Sequence, residues 1–204
     1  MTDTASPQQP APQPVLRKDA ARNRRRIMDA ARSLARAGNP VQLNAVAQAA
    51  DVGVGTVYRH FPTPETLLEA LATDQFTALI EQAEQAAAAA DPHQALRTFL
   101  RSALTAYLQD DAFAAAATDP NPATPDMRHL RHRLQEKTHN LLARSAADEA
   151  LRPSLDAADM MLLLCGIGFA IRHAPDRDDP GLTDRYLNAL LDGALHPPGR
   201  GSSS

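Results

Sequence analysis

A chain of 204 residues with 44% apolar content, only 4% aromatic content and a formal net charge of −3 can hold one or two modest domains, and its Ala and Leu favour helices packed on helices. A single cysteine excludes an internal disulfide framework. The longest nearly unbroken apolar stretch, Met160 to Ile171, is too short to span a bilayer, so no membrane partner is expected and the expected location is the cytoplasm.

Residues 1–16 are mostly Pro, Gln, Ala and Thr and residues 197–204 are Pro, Gly, Ser and one Arg, with little to bury in either, and both stretches are expected to be disordered tails. From Arg17 to Arg36 eight basic residues face only Asp19 and Asp29, so positive charge is gathered at one end of the chain. Within it Ile27, Ala30, Ala31 and Leu34 recur at helical spacing, while Arg22, Arg25, Arg32 and Arg36 fall on another face; Gly38, Asn39 and Pro40 stop the helix. Leu43, Val46, Ala47 and Ala50 mark a second, shorter helix. Asp51 to Gly53 form a break, with Asp51 suited to the left-handed conformation, and Val54 to Phe61 form a third helix ended by Pro62. Pro64 suits the first position of a fourth, running to about Ala90. Turn residues then introduce helices at Ala95 to Leu108, Asp111 to Ala117, Met127 to about Ala147, Asp156 to His173 (opened by Ser154 or Leu155) and Leu182 to Leu195, nine in all.

Leu43 to Phe61 therefore reads as a helix-turn-helix. A helix fits the major groove of double-stranded DNA if a second helix holds it and its outer residues permit close approach. Val46, Ala47, Val52, Val57 and Phe61 are expected to lock the pair together. Asn44, Val54, Gly55, Thr56, Tyr58, Arg59 and His60 remain to face outward. Val54, Gly55 and Thr56 are the candidate base readers: an apolar contact, a close backbone approach and a hydroxyl. Tyr58, Arg59 and His60 are candidate phosphate contacts, joined by Arg22, Arg24, Arg25 and Arg26 where the chain enters the first helix.

The stretch Arg25 to Leu68, containing VGVGTVYRHFPTPETLL from Val52, resembles the N-terminal domain of the TetR family of transcriptional repressors. The resemblance implies an all-α protein with a three-helix DNA-binding domain over residues 17–66 and a regulatory and dimerisation bundle over 67–196. It places Val54, Gly55 and Thr56 at base-contacting positions, Asn44 at a second-helix position that can read a base, and Tyr58 and His60 at phosphates. This chain departs from the family pattern at Asp51, where Gly is usual, at Gln42, where Thr or Ser often caps the second helix, and at Thr63 and Pro64, where Ser and Lys often touch DNA. Val54 also replaces a commonly polar residue. The last two helices of such proteins pair with a second copy; here Met160, Leu163, Leu164, Ile167 and Ile171, with Gly166 and Gly168, would face Tyr186, Leu187, Leu190, Leu191 and Ala194 in a four-helix seam.

The expected function is that of a homodimeric repressor on a palindromic operator, released when a small hydrophobic or aromatic effector binds. Phe99, Ala103, Tyr107, Leu134, Leu164, Cys165 and Phe169 are the candidate pocket residues, with Tyr107 as a polar handle, although the same residues would serve a dry core. Cys165 reads as a packed small hydrophobe. His129, His132 and Glu136, with His139 beyond, share one helix face and offer either a solvated surface or the site of a metal-sensing regulator of the same fold. No nucleophile with a base, no phosphate-cradling glycine loop and no cofactor motif is present, so neither catalysis nor a cofactor is expected.

Overall fold

Burial separates the two faces of the first helix as its sequence spacing requires: Ile27 and Ala31 are fully buried, and Arg22, Arg24, Arg25 and Arg26 are exposed. The computed structural model describes residues 14–37, 39–146 and 156–195, and after Pro64 the chain divides into two compact units. Among the described residues there are nine helices, and none is long and apolar enough to cross a membrane.

In the N-terminal unit, α1 (Pro14–Arg36), α2 (Leu43–Ala49) and α3 (Val54–His60) pack on one another. The helix takes up residues 14–16, which the sequence assigned to a tail, because Pro at the first helical position is already set to helical φ; residues 1–13, Gly38 and the tail 197–204 lie outside the described residues. Leu43, Val46, Ala47, Val57 and Phe61 are buried, and Val52 is half-buried. Phe61 belongs to the core but not to α3. It is extended (φ −138°, ψ 94°) and donates its N–H to the Val57 carbonyl, because the following proline disfavours helical geometry at this position.

The C-terminal unit contains α4 (Pro64–Ala87), α5 (Pro92–Gln109), α6 (Asp111–Thr118), α7 (Pro125–Ala146), α8 (Ala157–His173) and α9 (Leu182–Leu195). Helix α4 stops three residues before the expected Ala90, where Ala88 and Ala89 turn back on the carbonyls of Gln85 and Ala86. Side-chain oxygens start the next helices: Asp91 accepts from the Gln94 N–H, Asp110 from Phe113, and Asp156 from Asp159 in a reciprocal capping box. Asp156 thus caps α8, while Ser154 and Leu155 lie outside the described residues.

Helix α5 is the hub, touching α6, α7, α8 and α9 through buried Leu96, Phe99, Leu100, Ala103 and Leu104. Glu69, on α4, is a buried acid. Its carboxylate accepts from the Ala123 N–H (2.5 Å), the Thr124 N–H (2.9 Å) and the Thr124 hydroxyl (2.5 Å), and Thr124 Oγ1 in turn accepts from Met127 at the start of α7. A buried carboxylate persists where three donors replace water in this way.

Candidate DNA interface and effector cavity

Seven residues are too few for a helix to hold itself together in water, so α3 depends on its inner side. Val57 is fully buried; Val54, Gly55, Tyr58 and Arg59 are exposed along the opposite arc. Val54 and Tyr58 keep 45% and 47% of their surface, unusual for such side chains on a closed surface. A Cβ built on Gly55 would meet nothing within 4 Å, so nothing within the fold requires glycine there. Thr56 and His60 are half-buried at the edges of the arc, and Asn44 is exposed on α2. The sequence-derived contact residues of α2 and α3 are therefore exposed or half-buried.

The turn before α3 is held in an unusual way. Asp51 adopts φ 48°, the left-handed region that Asp tolerates better than most residues. Arg26 reaches from α1 to both its carbonyl and its carboxylate, each at 3.0 Å. Arg24 lies 4.8 Å above the Phe61 ring, a cation–π contact. Both arginines were candidates for an adjacent phosphate or the minor groove; in the structure they also find partners inside the unit, because Asp51 and Phe61 lie within reach. Arg25 is exposed, and Arg22 is only loosely paired with Asp19 at 3.7 Å, both side chains being largely exposed, a contact worth little in water.

The seven candidate pocket residues occupy different settings among the described residues. Ala103, Tyr107 and Leu164 are buried in the core, and Phe99 borders a polar-edged groove between α4 and α5 with Gln82, Gln94 and Ser102. Phe169 is 58% exposed and stacks on His173 with centroids 4.1 Å apart. Leu134 and Cys165 do share a partly open cavity, of about 120 Å³, bordered by α4, α6, α7 and α8. Phe76, Phe113 and Met161 supply more of its apolar wall, and Arg131 and Gln135 enter it from α7. Burial pushes the Cys165 thiol up from its ordinary pKa, the nearby Arg131 charge opposing this more weakly; the thiol is therefore neutral and unreactive.

Tyr107 is not a free polar handle. Its ring lies against Gly168, and Arg172 sits 5.0 Å above it while also donating to the Tyr107 carbonyl and pairing with Asp111 at 2.8 Å. Sequence reasoning missed Arg131, Gln135 and the phenylalanines. Arg131 falls on the stripe Met127, Leu134, Thr138 and Leu141, all buried, and that spacing was the available signal. His132 approaches Glu136 at 3.8 Å with both side chains exposed; among the described residues no three potential ligands come together to hold a metal, so the metal-sensing alternative has no site there.

The outer face of α8 also differs from expectation. Met160, Leu164, Gly168 and Ile171 point into their own unit, while Leu162 (62%), Leu163 (42%) and Phe169 are exposed. An open groove of about 490 Å³ runs along Leu162, Leu163, Gly166, Ile167 and Ala170 to Tyr186 of α9. The C-terminal part of the expected seam, Ala194, has no described side chain.

The chain matches a family model described as "Bacterial regulatory proteins, tetR family" over residues 27–71 and one described as "Transcriptional regulator SbtR-like, C-terminal domain" over residues 91–196. It is 41% identical over 85 residues to the HTH-type transcriptional repressor KstR of Mycolicibacterium smegmatis, covering 40% of this chain and 42% of KstR. The chain thus spans about two fifths of the length of that curated relative. Among solved structures it resembles Thermus thermophilus FadR, a TetR-family repressor bound to lauroyl-CoA (22% identity, TM-score 0.57, covering 89% of this chain and 100% of that one). It also resembles RolR in complex with resorcinol (20% identity, TM-score 0.60, covering 88% and 91%). At these identities the likeness is one of fold.

Proposed function

Because the chain belongs to the TetR family of transcriptional regulators, we propose that it is a homodimeric repressor that holds a palindromic operator until a small hydrophobic or aromatic effector enters its C-terminal unit. One observation carries the reading: among the described residues, the five large apolar side chains left exposed fall in only two places. Val54 and Tyr58 are on α3, and Leu162, Leu163 and Phe169 are on α8. Exposed apolar clusters mark surfaces that meet a partner.

On α3 the partner is the major groove. Val54 and Thr56 touch base edges, Gly55 lets the backbone come close, and Asn44 reaches a neighbouring base. Tyr58, Arg59, His60, Arg22 and Arg25 bind phosphates and set the register. On α8 the partner is a second copy, seated in the groove from Leu162 to Tyr186, with Gly166 allowing close helix approach. Two recognition helices read one operator only when ~34–36 Å apart, one turn of DNA. An effector that favours a dimer of another spacing therefore releases DNA, and a few kcal/mol of differential binding suffices.

The test is operator selection with the purified protein, followed by variants. Thr56→Ala is expected to narrow the gap between cognate and random DNA by about tenfold. Arg25→Gln lowers affinity for both alike and reduces the salt slope by ~0.9, whereas Tyr58→Phe lowers affinity for both with the slope unchanged. Selection of no palindrome, or equal losses on both DNAs from Thr56→Ala, refutes these roles.

A further inference from the structure

Arg131 is the one charged residue in the wall of the cavity between α4, α6, α7 and α8, and no carboxylate lines that wall. The guanidinium is half-buried, and its hydrogen bond goes to the backbone carbonyl of Asp119 at the end of α6. Four other arginines of this unit find acids, Arg101 with Asp184, Arg172 with Asp111, Arg133 with Glu84, and Arg185 with Asp176 and Asp179, whereas Arg97 and Arg144, like Arg131, bond neutral oxygens, but neither lines this cavity. Arg131 has five N–H donors and, among the described residues, no carboxylate in ion-pair range. Cys165 supplies no negative charge, because burial holds its thiol protonated.

A cation partly withdrawn from water without a counter-ion is costly, and an anion that enters beside it relieves that cost. The rest of the wall, Phe76, Phe113, Leu134 and Met161, favours an apolar body. Size limits that body to one ring at most: the cavity holds about 120 Å³, less than the roughly 150 Å³ of an apolar cavity that admits benzene. Gln135, one residue beyond Leu134 on the same wall, can donate its amide to a second oxygen.

Building on the effector reading above, we propose that this cavity binds a compact organic anion, a single-ring aromatic carboxylate, whose charge is met by Arg131 and whose ring lies among Phe76, Phe113 and Met161. The ligand enters deprotonated and no covalent step is involved. The requirement for charge distinguishes it from neutral aromatics of the same shape.

Calorimetric titration of the full-length protein with benzoate, benzamide and benzylamine separates these features. Benzoate is expected to bind about tenfold tighter than benzamide or better, as a charge-assisted bond would give, and benzylamine not at all. Arg131→Gln brings benzoate down to the level of benzamide while leaving benzamide within about twofold, a change that loss of the Asp119 contact alone would not produce. Arg131→Lys retains part of the preference, and Ala117→Phe, which fills the cavity, abolishes binding of both. Benzamide binding as well as benzoate, or an Arg131→Gln variant with an unchanged ratio, overturns the proposal and leaves the effector reading standing. If none of the three ligands binds, the proposal is overturned, whereas the effector reading falls only if no hydrophobic or aromatic compound shifts operator occupancy.

Discussion

Replacing Gly168 by Ala should destabilise the C-terminal unit, against the usual direction of a Gly to Ala change within a helix. A Cβ at this position would lie 2.3 Å from Tyr107 Cδ1, 2.6 Å from Cε1 and 3.1 Å from Cγ. The ring cannot easily swing aside, since Arg172 sits 5.0 Å over it and is itself tied to the Tyr107 carbonyl and to Asp111. Overpacking of this kind costs ~1–3 kcal/mol, while Ala in a helix interior returns ~0.8–1.0 kcal/mol. The net is a loss of about 1 kcal/mol, or ~2–4 °C in melting temperature for a chain of this size. Scanning calorimetry at fixed protein concentration, because dimerisation shifts the midpoint, measures it. In a Tyr107→Leu background the same change becomes stabilising, since the colliding ring is gone. A Gly168→Ala variant that melts at or above the wild-type temperature refutes the argument.

Glu69→Ala leaves the Ala123 and Thr124 donors without their carboxylate and should cost ~2–4 kcal/mol by urea denaturation, with faster amide exchange at the start of α7; a loss under about 1 kcal/mol argues against a tight buried clamp. Asp51→Gly should be neutral or stabilising by up to ~1 kcal/mol, because glycine removes the left-handed penalty at φ 48°. Arg26 keeps its bond to the backbone carbonyl, and the lost ion pair is one in which the Asp51 side chain is almost wholly exposed. A thermal melt lowered by more than about 1 kcal/mol would show that the Asp51 carboxylate matters more than this geometry allows.

The helix-turn-helix was legible because its information is local. Pro, Gly and Asp act on their own backbone, so Asp51 announced its turn and Pro62 the end of α3, though not that Phe61 would already be extended. Arg24 and Arg26 were hidden among identical neighbours, and only three-dimensional proximity to Phe61 and Asp51 separates them from Arg22 and Arg25. Helix α8 was legible as a buried helix but not in its orientation. Met160 to Ile171 is apolar nearly all round, so periodicity cannot tell the face toward α5 from the face toward solvent. Arg131 was disguised by the charged run His129 to Arg133, which reads as solvated surface until Leu134, Thr138 and Leu141 are seen buried on the same stripe.

That ambiguity in α8 has a physical origin, because the helix has three things to touch. Gly168 and Ile171 face the core, Met161 and Cys165 the cavity, and Leu163, Gly166 and Ala170 the open groove. A helix with one partner would carry a polar face, whereas one with three carries none. Leu162 borders both the cavity and the groove and keeps 62% of its surface. In the proposed repressor, a ligand packed against one side of Leu162 alters what the second copy meets on the other. The two binding free energies are then coupled, and by reciprocity the dimer form that admits the ligand better is the form the ligand selects. In that proposal the exposed leucine is the point at which occupancy of a small cavity is felt at the two-fold axis, without any long chain of intermediate contacts.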